Sequence, residues 1–119
     1  MKTVSVILAS YNGEKYIKEQ LDSILAQTYP IYEILIGDDG SADNTMSILN
    51  DYACKYENIK IISSNGNHGV NYNFKRLMDT ASGNYIAISD QDDIWFPEKI
   101  EIMIREIGTH VLVYSDAIP

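Results

Sequence analysis

The sequence has few features of exported, membrane-spanning or nucleic-acid-binding proteins. Its one cysteine, Cys54, excludes an intrachain disulfide and fits a reducing compartment. No apolar run approaches the roughly 20 residues that a membrane span requires. Only 9 lysines and arginines stand against 17 aspartates and glutamates, a formal net charge of -8. Nucleic acids and anionic lipids attract basic surfaces, so no nucleic acid partner is expected. We expect a cytoplasmic location, with contact to the inner face of the membrane only through other parts of a longer protein.

Several common functional motifs are also missing. The sequence contains no G-x-G-x-x-G, no P-loop and no G-x-S-x-G, which excludes the usual dinucleotide, NTPase and hydrolase sites. The two histidines, His68 and His110, have no partner at the spacing of metal ligands, so a zinc centre is not expected. Chemistry must therefore come from acidic, hydroxyl and aromatic residues.

Short runs rich in valine and isoleucine alternate with segments of helical periodicity. The runs lie at residues 3–9, 32–38, 58–63, 84–89 and 110–115. The helical stripes between them are Ile17, Leu21, Ile24 and Leu25, then Ile48, Leu49, Tyr52, Ala53 and Tyr56, then Val70, Phe74, Leu77, Met78 and Ala81, then Ile100, Met103, Ile104 and Ile107. Cys54, beside the second stripe, is predicted to pack. This pattern predicts one α/β domain over residues 1–119, an open, mostly parallel, Rossmann-like sheet with helices on both faces.

Ligands of such sheets bind beyond the carboxyl ends of the strands, so the segments after each strand are the candidate sites. After the first strand, Tyr11 could stack on a base or ring, while Asn12 is predicted to cap the next helix and Gly13 to give the turn its freedom. After the second strand, Asp39 could accept hydrogen bonds from a base N–H or a ribose hydroxyl. A purely structural turn explains this second segment equally well.

The strongest local feature is "ISDQDDIWFP", which places Asp90, Asp92 and Asp93 within four positions. Two such charges about 4 Å apart repel by roughly 4 kcal/mol at an effective dielectric near 20, so either they are solvated or a cation lies between them. Oxygen ligands without histidine or cysteine suit Mg²⁺ or Mn²⁺. In the alternative, the aspartates only precede a helix starting near Pro97, and residues 94–96 anchor the loop.

Taken together, five segments resemble the N-terminal nucleotide-sugar-binding half of family 2 glycosyltransferases with the GT-A fold. They are "VSVILASYNGEKYIKEQLDSILAQTY", "ILIGDDGSADNT", "NHGV", "ASGNYIAISDQDDIWFPEKI" and "LVYSD". The resemblance spans nearly the whole chain. Within the family, "SYNGEKYI", "SDQDDIWFP" and "LVYSD" are most similar to bacterial rhamnosyltransferase-type enzymes that build surface polysaccharides.

The resemblance implies transfer of a sugar, with inversion, from a thymidine or uridine diphosphate donor to a saccharide or lipid-linked saccharide acceptor. It places Ala9, Tyr11 and Asp39 around the base and ribose. It also identifies residues 90–92 as the D-x-D motif. Asp92 would be the main ligand of Mn²⁺ or Mg²⁺, and Asp90 and Gln91 would lie near the metal and the ribose.

Two features depart from the family pattern. Phe74 and Lys75 stand where many relatives carry Arg-Asn, so a diphosphate contact from this helix would pass to Lys75. The family's catalytic base lies well beyond the fifth strand, and the chain ends at Pro119. We therefore assign no catalytic base and expect a segment that lacks its acceptor-binding half. By itself it would be inactive and prone to self-association through surfaces that the other half covers.

Two other functions remain open on the sequence. The chain could be a non-catalytic nucleotide-sugar-binding module. It could also be a phosphoacceptor receiver domain, which is of similar size, acidic and Mg²⁺-dependent. A receiver needs an acidic pair after its first strand, an aspartate after its third and a lysine after its fifth. The sequence has "SYNG", "SNGN" and "DAIP" at these places, which disfavours a receiver.

Overall fold

The computed structural model describes residues 2–62, 70–90, 93–107 and 112–114. Within them, one parallel sheet is formed by β1 (Val4–Ser10), β2 (Glu33–Asp38), β3 (Ile59–Ile61), β4 (Tyr85–Ser89) and β5 (Leu112–Tyr114). The helices between the strands are α1 (Ile17–Leu25), α2 (Thr45–Lys55), α3 (Val70–Thr80) and α4 (Lys99–Ile107). The strand order is β3-β2-β1-β4-β5, which confirms the predicted α/β fold.

The central strand β1 marks the point where the chain changes its direction across the sheet. Ser10 of β1 pairs with Asp38 of β2 on one side, and Leu8 pairs with Ser89 of β4 on the other. From β1 the chain adds β2 and β3 outward in one direction, then returns to add β4 and β5 in the other. The carboxyl ends of β1 and β4 therefore lie side by side at the point where the strand order reverses, which is the usual ligand position in open α/β sheets.

Helices cover both faces of the sheet, as predicted. Alternate strand residues such as Val6 and Leu8 pack on the larger core, to which α1, α2 and α4 contribute Leu21, Leu49 and Ile100. The intervening residues face a smaller core, in which Ile7 and Leu35 pack against Leu77 of α3. All of these side chains are at most 1% exposed. At about 25 cal/mol per Å² of buried apolar surface, the two cores are the main source of stability.

Three packing predictions were wrong. Tyr56 and Met78 were assigned to buried stripes, but their side chains are 40% and 36% exposed. Tyr56 lies just beyond the end of α2 and stacks on Tyr52, with 6.1 Å between the ring centroids. Cys54 is exposed because it lies one residue, and so about 100° around the helix, from partly buried Ala53. Within the described residues, no helix is both long and apolar enough to cross a membrane.

Candidate functional site

A cavity of about 160 Å³ lies at the carboxyl edge of the sheet, where the strand order reverses. Its lining residues come from the ends of β1 and β4, the loops after β1 and β2, and helix α3. They are Ala9, Ser10, Tyr11, Asp39, Asn73, Phe74 and Asp90. The fold therefore brings together four of the residues singled out in the sequence, although up to 81 positions separate them. The Tyr11 side chain is 52% exposed.

The loop after β1 takes its shape from Asn12. Asn12 has φ of 48°, a left-handed conformation that asparagine tolerates better than most residues. Its main-chain N–H donates to Ser41 Oγ at 2.8 Å, and its Oδ1 accepts the N–H of Ala42 at 2.8 Å. The prediction that Asn12 caps α1 was wrong, because that helix begins at Ile17. Asn12 instead joins the loop that carries Tyr11 to the loop that carries Asp39.

Two further hydrogen bonds join the loop after β1 to Asp43 and Thr45, at the start of α2. The N–H of Gly13 donates to Thr45 Oγ1 at 2.8 Å, and the N–H of Glu14 donates to Asp43 Oδ2 at 3.2 Å. Asp43 also accepts the N–H of Thr45 at 3.0 Å at the start of α2. The hydrogen bond from the Thr45 hydroxyl is the main cause that lowers the pKa of Asp43. These contacts tie the loop that carries Tyr11 to the start of α2, which follows the loop that carries Asp39.

Adjacent Asp38 and Asp39 have different surroundings. The carboxylate of Asp38 accepts the hydroxyl of Ser10 at 2.7 Å, and the N–H and hydroxyl of Ser41 at 2.8 and 2.6 Å. These bonds close the turn after β2, so Asp38 has a structural role. Asp39 lines the cavity, and its own N–H donates to the carbonyl oxygen of Ser10 at 2.9 Å. Asp38 therefore forms the turn, and Asp39 lines the cavity.

Asn73, which the sequence reasoning missed, contributes from α3 and is 3% exposed. Its Nδ2 donates to the carbonyl oxygen of Gly37 at 2.7 Å, and its Oδ1 accepts from Arg76 Nη2. Arginine has no acceptor atom, so this pair of bonds fixes which way the amide points. A Cβ on Gly37 would lie 2.1 Å from Asn73 Oδ1, so only glycine leaves room here. The sequence signal that could have identified Asn73 is its position as a polar residue within the apolar stripe of α3.

The remaining predicted residues fall into two groups. Lys75 does not line the cavity, and its ammonium group lies 3.5 Å from the carboxylate of Asp79, with the lysine side chain 75% exposed. Its contact with a diphosphate stays a prediction. Gln91 and Asp92 lie outside the described residues.

The described residues supply oxygen donors at the cavity but no complete metal site. Asp39 and Asp90 are the lining residues with carboxylate oxygens, while the hydroxyl of Ser10 is bonded to Asp38. In the part of the chain that is described, no three acidic, histidine or cysteine side chains group together in a way that could hold an ion. One or two carboxylates completed by phosphate oxygens are the usual environment of Mg²⁺, and the donor set fits that chemistry.

Asp93 is hydrogen-bonded both to Asp90 before it and to Trp95 after it. The N–H of Asp93 donates to the carbonyl oxygen of Asp90 at 3.1 Å, and the Trp95 indole N–H donates to Asp93 Oδ2 at 3.2 Å. Asp93 and Trp95 are 9% and 4% exposed, whereas Ile94 and Phe96 are 51% and 53% exposed. Of the three residues expected to anchor this loop, only Trp95 does so. Asp93 is thus occupied within the loop, and Asp90 lines the cavity.

Several known proteins are similar to this chain in sequence and in fold. The model of glycosyl transferase family 2 matches residues 5–118. The dTDP-rhamnosyl transferase RfbG of Shigella flexneri is 43% identical over 99 residues, which cover 79% of this chain and 34% of RfbG. The crystal structure of TarS residues 1–349 from S. aureus in complex with UDP-GlcNAc superposes with a TM-score of 0.74 and 32% identity, covering 91% of this chain and 32% of TarS.

A third neighbour has a cation in its complex. The mannosyltransferase PcManGT from Pyrobaculum calidifontis, with GDP-Man and Mn²⁺, superposes with a TM-score of 0.71 and 27% identity, covering 79% of this chain and 28% of that protein. The chain spans less than half the length of the curated relatives it matches, for example 44% of EpsE from Bacillus subtilis (strain 168).

Proposed function

The chain belongs to glycosyl transferase family 2 and has the GT-A fold, and on this premise we propose that it is the donor-binding part of a sugar-transferring enzyme. The reaction would move a sugar from a nucleoside diphosphate to an acceptor hydroxyl, with inversion, in the synthesis of a surface polysaccharide. Membership of this family removes the receiver domain from consideration.

The observation that carries the proposal is the joint lining of one cavity by Ala9, Tyr11, Asp39 and Asp90. The cavity lies where the strand order reverses, which is the usual ligand position in open α/β sheets. The half-exposed ring of Tyr11 can stack on a base. The ionised carboxylate of Asp39 can only accept hydrogen bonds, so it suits a base N–H or a ribose hydroxyl. Uracil and thymine both present such an N–H.

The diphosphate of the donor sets an electrostatic problem that a divalent cation would solve. A chain of formal net charge -8 repels a diphosphate, and Asp39 and Asp90 increase that repulsion at the cavity. We propose that Asp92, with Asp90 beside it, holds Mn²⁺ or Mg²⁺, and that Gln91 lies near the ribose. The bound cation would act as a Lewis acid toward the departing diphosphate. The Mn²⁺ complex of PcManGT supports this assignment.

The donor base and the transfer step complete the proposal. Similarity to RfbG favours a thymidine donor, and similarity to TarS favours a uridine donor. We propose thymidine first and test both. Removal of the acceptor's proton requires a base, and we assign it to a part of the longer protein outside residues 1–119. The chain alone would then bind donor weakly, transfer no sugar and self-associate.

Titration calorimetry tests the donor site directly. We expect dTDP or UDP to bind the 119-residue chain in the presence of Mn²⁺, and binding to be lost with chelator or in Asp92→Ala. Asp93→Ala is the matched control, because Asp93 is bonded to Trp95 within the loop, and we expect it to have a smaller effect. Equal affinity with and without chelator would remove the metal from the proposal.

A transfer assay separates an enzyme part from a non-catalytic binding module. The longer protein should release nucleoside diphosphate only when a saccharide acceptor is present, and the 119-residue chain should release none. Acceptor-dependent turnover by the chain itself, abolished in Asp116→Asn, would place the base inside this segment. No turnover by the longer protein with any acceptor would instead favour the binding module.

A further inference from the structure

Three polar side chains of α1 and the residues just after it face the segment between β4 and α4. Gln20 and Ser23 are three residues apart on one face of α1, and Gln27 lies two residues beyond the end of that helix. Each bonds to a different part of residues 89–100. The helix that follows the Tyr11 loop, with the residues just after it, is therefore also bonded to Ser89, Asp90, Trp95, Phe96 and Ile100.

Gln20 makes the contact nearest to the cavity, and its side chain is 0% exposed. Its Nε2 donates to Ser89 Oγ at 2.9 Å and to the main-chain carbonyl oxygen of Asp90. Both amide hydrogens are thereby used, and rotating the amide by 180° would place Oε1 against the carbonyl oxygen of Asp90 and lose that bond. Its Oε1 is buried and has no hydrogen-bond partner. An apolar side chain would fill this buried position at a lower desolvation cost. The role of the amide is therefore in its bonds to the end of β4.

The carbonyl oxygen of Asp90 is held by two donors at once. It accepts Gln20 Nε2 from the helix and the N–H of Asp93 from within the loop. The peptide plane at Asp90 is thereby fixed relative to α1. Asp90 also lines the cavity, so the bond from Gln20 fixes the backbone of a cavity residue.

The other two side chains act on the far end of the segment. Ser23 Oγ donates to the carbonyl oxygen of Gln20 at 2.7 Å and accepts the N–H of Trp95 at 3.1 Å. Gln27 Nε2 donates to the carbonyl oxygen of Phe96 at 2.8 Å, and its Oε1 accepts the N–H of Ile100 at 3.0 Å. Gln27 thus holds the start of α4.

We infer that Gln20 is a positioning residue for Asp90, which it holds at the end of β4 and so at the cavity where a cation and the donor diphosphate would bind. The inference rests on the proposed function. It predicts that removing the two donations weakens cation-dependent nucleotide binding more than it weakens binding of the base.

The test compares Gln20→Met with Gln27→Met, since methionine keeps the volume and removes the amide. Calorimetry measures dTDP and UDP binding with Mn²⁺ and with chelator, and thermal unfolding measures stability. We expect Gln20→Met to reduce the Mn²⁺-dependent gain in affinity about ten-fold, as loss of outer-shell support typically does. Gln27→Met should stay within about two-fold of wild type despite a comparable loss of stability. Equal losses in both variants, or none in Gln20→Met, would overturn the inference.

A second measurement works without any ligand. Hydrogen exchange at the Asp93 amide, which donates to the same carbonyl oxygen, should become faster in Gln20→Met and stay as in wild type in Gln27→Met. Unchanged exchange in Gln20→Met would overturn the positioning role. If wild type shows no Mn²⁺-dependent binding at all, the proposed function fails, and this exchange result decides the positioning role separately.

Discussion

At the amino edge of the sheet Glu33 is enclosed by the protein's own donors, whereas at the carboxyl edge Asp39 and Asp90 line an open cavity. Glu33 is 3% exposed and accepts the hydroxyl of Ser5 at 2.7 Å and the N–H of Ser82 at 2.8 Å. Lys60 Nζ lies 3.6 Å from its other oxygen. Burial works against the ionised form, but these hydrogen bonds and Lys60 outweigh it and lower the pKa of Glu33.

The difference separates two uses of a carboxylate in an acidic protein. Glu33 joins β2 to the turn before β4, and its charge is compensated within the fold. The carboxylates at the cavity lie where a ligand or cation can reach them. We therefore expect substitutions at the amino edge to change the free energy of unfolding, and substitutions at the carboxyl edge to change affinity.

The largest effect is expected for Glu33→Ala, which should lower the free energy of unfolding by about 3 kcal/mol, because the Ser5 hydroxyl and the Ser82 N–H lose a buried acceptor. Urea denaturation measures this change, and calorimetry should show unaltered nucleotide affinity in the folded variant. Glu33→Gln retains an acceptor oxygen and is expected to cost less. A variant of normal stability with impaired binding would contradict the separation of the two edges.

A pair of glycines provides the next comparison. A Cβ on Gly83, at the amino edge, would lie 2.6 Å from Ser5 Oγ and 2.9 Å from the Ser5 main-chain nitrogen. Because backbone in a central strand cannot move aside, Gly83→Ala should cost about 2 kcal/mol of stability and leave affinity unchanged.

Gly37→Ala is the matched change near the carboxyl edge, where the clash is with the side chains of Asn73 and Arg76. Displacing the Asn73 amide from the cavity lining should weaken nucleotide binding, and the loss of its buried hydrogen bonds to Gly37 and Arg76 should also cost about 2 kcal/mol of stability. Thermal unfolding and calorimetry on both variants measure the two effects. Weaker binding in Gly83→Ala than in Gly37→Ala would reverse the expected order.

Adjacent Asp38 and Asp39 test the comparison within the carboxyl edge itself. Asp39→Asn should weaken dTDP or UDP binding about ten-fold, since a hydrogen bond to a charged acceptor typically contributes that much. Asp38→Asn should mainly reduce stability, because Asp38 accepts from Ser10 and Ser41. The two variants differ by one position and carry the same chemical change. Similar affinities in both would mean that Asp39 does not contact the nucleotide.

Much of the fold could be predicted because buried parallel strands are apolar on both faces and stand out as valine and isoleucine runs. The first strand was predicted at residues 3–9 and is found at Val4–Ser10, and the third was predicted at 58–63 but spans Ile59–Ile61. The ends of a strand depend on pairing with strands that are distant in sequence, so the local hydrophobic pattern does not determine its first and last residues. The burial of Tyr56 and Met78 was predicted wrongly for a related reason, because a residue at the edge of an apolar stripe is buried only if another element packs against it.

The candidate site was predictable only where one rule applied. Tyr11, Asp39 and Asp90 follow strands, and the carboxyl ends of parallel strands share an edge, so their meeting could be predicted. Asn73 and Gln20 lie inside helices and act on residues 36 and 70 positions away. Nothing local indicates such partners, although a polar residue within an apolar stripe is a signal worth following.

The smallest expected effect is the pH dependence of the amino edge. The pKa of Glu33 is lowered on folding from its ordinary value of 4.5, so its stabilising contribution is present above that value and is lost as pH falls through the lower folded pKa. The difference in free energy of unfolding between wild type and Glu33→Gln should thus be constant near neutrality and narrow in acid. Urea denaturation at a series of pH values measures it, and shared groups such as Asp43, whose pKa is also lowered, cancel in the subtraction. A difference that widened in acid would mean that burial, not hydrogen bonding, dominates at Glu33, and the contrast between the two edges would then fail.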